Sequence, residues 1–137
     1  MNVDNIRRVA DAIEAASRPE AVTKLGFNMN HWYYTYTKQP RRSRRDMTGH
    51  NCSTLACIAG WTVVVIDDDW KPSTSAINEI DKIATELLGL SIEQANELFY
   101  ALVRPMTELS DITPALAVAV LRHLAETGEV DWFIEPC

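Results

Sequence analysis

The segment from His50 to Trp61, which reads H-N-C-S-T-L-A-C-I-A-G-W, constrains the fold more than any other part of the chain. From Leu55 onward the segment is apolar on nearly every side, and a helix of that composition is buried on most faces. We expect Asn51 or Ser53 to cap a helix that begins near Thr54. This helix is predicted to be the packing centre of the protein.

Small residues within the predicted helix indicate that another part of the chain lies very close to it. Ala56, Ala59 and Gly60 have little or no side chain, so another helix backbone can approach them closely. The apolar residues 63–66 are expected to continue the helix, with a strand as the alternative. The three aspartates 67–69 should end it, because the negative end of the helix dipole disfavours carboxylates.

Four further segments repeat apolar residues at three- and four-residue steps, which predicts a mainly α, single-domain bundle of about five helices over residues 1–137. Ser91 with Gln94 forms a capping box, and Thr113 before a proline marks the start of the last helix, which Gly128 should end. A further turn before Gly26 is expected to close with that glycine in the left-handed conformation. The four helices are predicted at residues 4–17, 73–89, 92–103 and 113–128.

An aromatic segment precedes the central stretch and is predicted to be extended or β-like. Residues 27–33 alternate in character, and residues 32–37 are rich in the aromatic and β-branched types that strands favour. These aromatic residues either cover the helical core or form a contact surface, since Tyr and Trp anchor many interfaces. The candidates for such contacts are Trp32, Tyr33, Tyr34 and Tyr36.

A basic loop, predicted at residues 38–46, interrupts an acidic chain. The net charge is −6, yet residues 38–45 carry five of the 13 basic residues and no acidic one. The rest of the chain therefore holds eight basic against 19 acidic residues, and such an acidic body is a poor general binder of nucleic acid. The loop is either a solvated segment or a contact for a protein partner, with single-stranded nucleic acid bound through residues 38–45 as an alternative. The candidate contact residues are Arg41, Arg42, Arg44 and Arg45.

The cysteines of the central stretch suggest two kinds of chemistry. If Cys52 lies just before a helix, the helix dipole lowers its pKa, and the thiolate could act as a nucleophile with His31, His50 or His123 as base. Alternatively, His50, Cys52 and Cys57 could bind zinc, with a fourth ligand from another histidine or an aspartate. Free cysteines are more often small core residues, so we expect no cofactor and no catalytic set.

Three further features concern the environment of the protein. No apolar run approaches the roughly 18–20 residues that a membrane span requires. The first residues lack the apolar stretch of a signal peptide, and an odd number of cysteines is not typical of a disulfide framework. We expect a cytoplasmic protein with no membrane contact.

Four motifs in a fixed order resemble those of a family of short uncharacterised proteins from phages, prophages and bacteria. The resemblance spans about residues 27–132 and rests mainly on the cysteine stretch. Members of the family often have C-G-T where this chain has C-S-T, and the basic loop looks like a local elaboration. The motifs are F-x-M-x-x-W at residues 27–32, C-S-T-x-x-C-I-A-G-W at 52–61, L-L-G-L-S-x-E-Q-A-x-x-L-F at 87–99, and T-P-A followed by L-R-H-L-A-E-T-G-x-V-D-W at 121–132.

The resemblance implies a source more than an activity. It favours a small phage or prophage accessory protein that is not an enzyme and that binds a host or phage macromolecule in the host cytoplasm. An inhibitor of a bacterial defence system is one concrete version. The alternatives are an enzyme or zinc protein centred on Cys52, and a single-stranded nucleic-acid binder that uses the basic loop. The oligomeric state is left open.

Overall fold

The computed structural model describes residues 1–36 and 45–136, in which six α-helices pack around a small sheet. The mainly α fold class predicted from the sequence is confirmed. None of the helices in this part of the chain is long and apolar enough to cross a membrane. The helices are α1 (Val3–Ala16), α2 (Ile58–Ile66), α3 (Thr74–Asn78), α4 (Ile80–Leu88), α5 (Ile92–Tyr100) and α6 (Pro114–Thr127), and the strands are β1 (Leu25–Phe27), β2 (Tyr34–Thr35) and β3 (Thr54–Ala56).

Helix α2 is the centre of the core, as the sequence predicts. Every residue from Ile58 to Val63 is buried, and the helix packs against α1, α4 and α5. A Cβ atom at Gly60 would collide with the carbonyl oxygen of Trp32 and with the side chain of Ala56. Gly60 therefore admits a neighbouring backbone, although that backbone belongs to the aromatic segment and not to a second helix.

The residues before α2 form a strand, so the prediction of a helix from Thr54 is wrong. Strand β3 is the middle of the sheet, parallel to β1 and antiparallel to β2. Cys57 occupies the N-cap position of α2, and its N–H donates to the carbonyl of His31 at 2.7 Å. A short apolar run fits a buried strand and a buried helix equally well, and the two neighbouring strands, distant in sequence, decide between them.

Capping residues begin α5, and begin and end α6, where the sequence places them. Ser91 and Gln94 make both hydrogen bonds of a capping box. The Thr113 side chain accepts from the N–H of Leu116 at 3.2 Å, and Gly128 ends α6 in the left-handed conformation with φ 79°. The predicted first and last helices are confirmed to within about two residues.

Three predicted helix boundaries are wrong. The helix expected at 73–89 is two helices, because the backbone departs from helical geometry at Glu79 (φ −107°, ψ 6°). The helix expected at 92–103 ends at Tyr100, since Ala101 adopts the left-handed conformation, and Leu102 is consequently 77% exposed instead of packed. Gly26 lies within β1 and does not cap a helical turn.

The chain after α6 returns to the core through one of its two aromatic residues. Trp132 is 3% exposed, and its indole N–H donates to the carbonyl of Glu97 at 2.8 Å. Phe133 stays 58% exposed. The segment therefore packs on the core through the tryptophan, whereas the phenylalanine beside it faces solvent.

Replacing Gly60 by Ala should destabilise the protein. At an open helical site this change adds about 1 kcal/mol of stability, because alanine favours the helix more than glycine does. Here the new methyl group overlaps the Trp32 carbonyl, so we expect a loss of about 2 kcal/mol or more in the free energy of unfolding. Urea denaturation would measure the change, and a gain in stability would contradict the close approach.

Candidate binding surface at the base of the basic loop

The basic loop is described only at its two ends. Residues 37–44 lie outside the described part of the chain, and three of the predicted contact residues, Arg41, Arg42 and Arg44, are among them. The described chain stops at Tyr36 and resumes at Arg45.

Asp46 holds the returning end of the loop against the sheet. The residue is 6% exposed, and its Oδ1 accepts hydrogen bonds from the N–H of Phe27 (3.1 Å) and from both the N–H (2.9 Å) and the hydroxyl (2.7 Å) of Thr48. Its Oδ2 accepts from the N–H of Cys52 at 2.9 Å. One carboxylate therefore ties the segment 46–52 to β1.

The environment of Asp46 keeps it ionised. Burial acts to raise the pKa of this carboxyl, but the hydrogen bonds from Thr48, Cys52 and Phe27 together outweigh burial and hold the pKa below its ordinary value of 3.8. The carboxylate also needs space, since a Cβ atom at Gly26 would lie 2.5 Å from its Cγ. The role of Gly26 is thus to make room for the charged group.

Asn28 fixes the same end of the loop from the other side. This residue is fully buried, its Nδ2 donates to the carbonyl of Arg45 at 2.8 Å, and its Oδ1 accepts from the N–H of Asn30 at 2.9 Å. The N–H of Met47 donates to the carbonyl of Phe27 at 2.8 Å. The chain from Arg45 to Met47 therefore runs beside the end of β1.

The departing end of the loop is fixed at Tyr36. Its N–H donates to the carbonyl of Ser53 at 3.0 Å, and its hydroxyl donates to the carbonyl of Cys52 at 2.9 Å. Tyr36 is 8% exposed. The ring of Tyr36 is therefore held inside the fold and offers little surface to a partner, which does not favour its predicted role as a contact residue.

The other aromatic residues are half-buried and both cover the core and border the surface. Trp32 meets Tyr100 edge to face with ring centroids 5.5 Å apart, and Tyr33 meets Trp70 in the same way at 5.1 Å. Tyr34 lies in β2, at the edge of the sheet, with its ring 5.0 Å from that of His31. Each of these three rings thus packs against another ring of the protein.

Arg45 is the predicted arginine that the structure describes. Its side chain is 53% exposed, and its guanidinium lies 4.0 Å from the carboxylate of Asp111. An ion pair of this length and exposure contributes little to stability, so the charge of Arg45 remains accessible from solvent.

Cys52 does not stand directly before a helix, and its pKa is raised instead of lowered. Burial raises the pKa of its thiol most, and the neighbouring carboxylate of Asp46 raises it further, to about 11. The expectation of a reactive thiolate depended on a helix beginning directly after Cys52, but that position leads into β3 and the helix begins only at Ile58. The Sγ atom donates to the carbonyl of Thr23 at 3.4 Å.

The other predicted ligands and bases lie on separate elements. Cys57 is 2% exposed in the core, and burial raises its pKa to about 11. His50 places its Nε2 2.8 Å from the carbonyl oxygen of Arg18, whereas His123 lies in α6. Among residues 1–36 and 45–136, no group of three or more His, Cys, Asp or Glu side chains is arranged to hold a metal ion.

No family model matches the chain, and neither a curated protein nor a solved structure matches it. The resemblance to short phage and bacterial proteins therefore stays a prediction that rests on the motifs alone.

Sequence reasoning missed Asp46 and Asn28, the two residues that organise this region. The sequence pattern places Asp46 at the end of the basic loop and Asn28 in an alternating segment. One local signal existed, because an aspartate followed two residues later by threonine often accepts hydrogen bonds from the backbone just ahead of it. The partners across the fold, Phe27 and Cys52, leave no trace in the local sequence.

Replacing Asp46 by Asn should destabilise the fold. The change removes the charge and turns an amide NH2 group toward backbone N–H donors, so we expect the free energy of unfolding at neutral pH to fall by about 2–3 kcal/mol. Urea denaturation would measure it. Asp68→Asn, in the exposed turn after α2, is the matched control and should change little.

The same variant should change the response to acid. Because the pKa of Asp46 is lower in the folded state, its stabilisation is complete above the unfolded pKa and is lost as the pH falls through the folded pKa. The wild-type protein should therefore lose stability below about pH 4 more steeply than Asp46→Asn does. Equal slopes for the two proteins would contradict this role of the carboxylate.

Cys52 should react slowly at neutral pH. With a pKa of about 11, its thiol is protonated there, and its alkylation by iodoacetamide should accelerate about tenfold per pH unit through pH 9. The rate would be measured in the variant Cys137→Ser, which removes the cysteine at the end of the chain. The double variant Cys137→Ser, Cys52→Ser would then show how much of the reaction comes from the buried Cys57. A rate that levels off below about pH 8.5 would restore the thiolate enzyme as the better hypothesis.

Proposed function

We propose that the protein acts by binding a host or phage protein through the basic loop and the exposed part of the aromatic segment beside it. The supporting observation is that both ends of the loop are hydrogen-bonded into the fold, at Tyr36 on one side and at Asp46 and Asn28 on the other. The proposed contact surface comprises residues 38–45, Tyr34 and the exposed parts of Trp32 and Tyr33.

The cost of this anchoring supports a role for the loop. A buried carboxylate costs several kcal/mol unless hydrogen bonds compensate it, and Asp46 has four such bonds. These bonds hold the returning end of the loop against β1. A solvated connection of the same length needs no buried anion, whereas a contact surface benefits from ends that are already ordered before binding.

Charge favours a protein over a nucleic acid as the partner. The chain has a net charge of −6, and its acidic residues lie outside residues 38–45. A nucleic acid presents phosphates over its whole length, so the acidic body repels it beyond the loop. A protein with one acidic patch can meet the loop and avoid the rest of the body.

The biological setting of the proposal comes from the motif resemblance. A phage or prophage accessory protein that works in the host cytoplasm, such as an inhibitor of a bacterial defence system, acts by occupying a partner and needs no catalytic residues. The protonated thiol of Cys52 is consistent with a binding role. The enzyme remains the competing function, and the iodoacetamide experiment above distinguishes the two.

A capture experiment tests the contact surface. The tagged protein would be used to isolate partners from host cells, and recovery would be compared with that of the variant Arg41→Ser, Arg42→Ser, Arg44→Ser, Arg45→Ser. We expect at least about tenfold less of the specific partner, since several exposed arginine contacts each add a fraction of a kcal/mol or more.

The matched control removes the same charge elsewhere. Arg7→Ser, Arg8→Ser, Lys71→Ser, Lys82→Ser changes four exposed basic residues on α1, α4 and the segment before α3, and it should capture the partner normally. Equal loss in both variants would mean that only net charge matters. Loss of capture after nuclease treatment, with steep salt dependence, would identify the nucleic-acid binder instead.

A further inference from the structure

A groove of about 510 Å³ lies between α1, α6 and the residues that follow Trp132. Its walls include Glu14, Arg18, Arg122 and Glu135, so it is formed by different residues from the proposed contact surface. Sites for small molecules have volumes of roughly 300–1,000 Å³, and they are mainly apolar with a few polar groups that orient the ligand. The groove therefore has the size of a small-molecule site.

Small side chains on one face of α6 leave the groove open. Ala115, Val118 and Ala119 line it, followed on the same face by Arg122 and Glu126 at helical spacing. Val118 is 5% exposed and forms a deep apolar part of the wall, whereas Ala115 is exposed. Longer side chains at the alanines would fill the space between the helices, so the composition of this face creates the groove.

The positive charge of Arg122, one of the two arginines that line the groove, is already balanced by carboxylates. Arg122 donates to both carboxylate oxygens of Glu14 at 2.9 and 3.1 Å and to Asp11 at 3.2 Å. The hydrogen bond with Glu14 is the main cause that raises the pKa of Arg122 and lowers that of Glu14, so both groups stay charged and pair with each other. This guanidinium is not available to an anionic ligand.

The unpaired charges of the groove are negative. Glu126 and Glu135 both line it and are exposed, and neither carboxylate has a hydrogen bond or ion pair with any other residue that the structure describes. The second arginine, Arg18, is largely exposed and already lies 3.9 Å from Glu14. This pair is as long and as exposed as that of Arg45, so the charge of Arg18 also stays accessible. With Asp11 included, four carboxylates lie in or beside the groove against two guanidinium groups, so the net charge of the groove favours a cation.

We propose that this groove binds a small ligand that has an apolar body and a protonated amine. The apolar body packs against Ala115, Val118 and Ala119, and the ammonium group is held by the carboxylates of Glu126 and Glu135. Charge complementarity selects the cation, and the apolar wall selects a ligand that is mostly hydrocarbon.

A pair of probes with the same apolar body tests the charge preference. Phenethylamine and 3-phenylpropionate would be titrated into the ¹⁵N-labelled full-length protein, with binding followed by NMR. We expect phenethylamine to shift the amide signals of residues 115–119 and to bind at least about tenfold more tightly than the acid, as two carboxylates attract one and repel the other. Equal affinity of the two probes, or no shift from phenethylamine at millimolar concentration, would overturn the proposal.

Two variants test the location. Glu126→Gln with Glu135→Gln should weaken phenethylamine binding about five- to tenfold, whereas the matched change Glu93→Gln with Glu97→Gln on α5 should leave it unchanged. Ala115→Trp should block the groove and abolish binding, with thermal unfolding as the check on its fold. If Ala115→Trp does not fold, the glutamate variants still decide, and unchanged affinity in the Glu126 and Glu135 variant would overturn the assignment.

Discussion

The hydrogen bonds to the Asp46 carboxylate are the interaction on which the arrangement around the central helix depends. They join β1, through Phe27, to the segment that carries Cys52 and leads into β3. Because β3 continues directly into α2, the same carboxylate helps to set where the buried helix enters the core. The chain thus uses one ionised, well-hydrogen-bonded side chain to hold the end of the basic loop against the sheet.

A second constraint lies on the other side of the sheet, where the aromatic segment crosses α2. The absence of a side chain at Gly60 lets the carbonyl of Trp32 approach the helix, and the N–H of Cys57 donates to the neighbouring carbonyl of His31. Close approach of the backbone places the rings of Trp32 and Tyr33 against aromatic residues from later in the chain. The half-buried aromatic surface follows from this packing, and the residues that cover the core lie shortly before the basic loop in the sequence.

The two proposed functions use opposite properties of the molecule. Residues 38–45 carry five basic residues and no acidic one in an otherwise acidic chain, which suits a partner with a local acidic patch. The groove beside α6 offers the carboxylates of Glu126 and Glu135 over an apolar wall. Its Arg122 already pairs with Glu14 and Asp11. The two sites share no described wall residue, and a ligand in one does not occupy the other.

The sequence by itself determined the mainly α class, the first and last helices and the burial of residues 58–63. These features depend on apolar spacing and on caps such as Ser91 with Gln94, whose partners lie within a few residues. Only the tertiary structure decided that Thr54–Ala56 is a strand, that Tyr36 is buried, and that Cys52 has a raised pKa. Each of these depends on groups distant along the chain, namely the strands beside β3 and the carboxylate of Asp46. A local sequence pattern shows which residues are apolar. It does not show which distant groups will form hydrogen bonds with the backbone N–H and C=O groups of those residues.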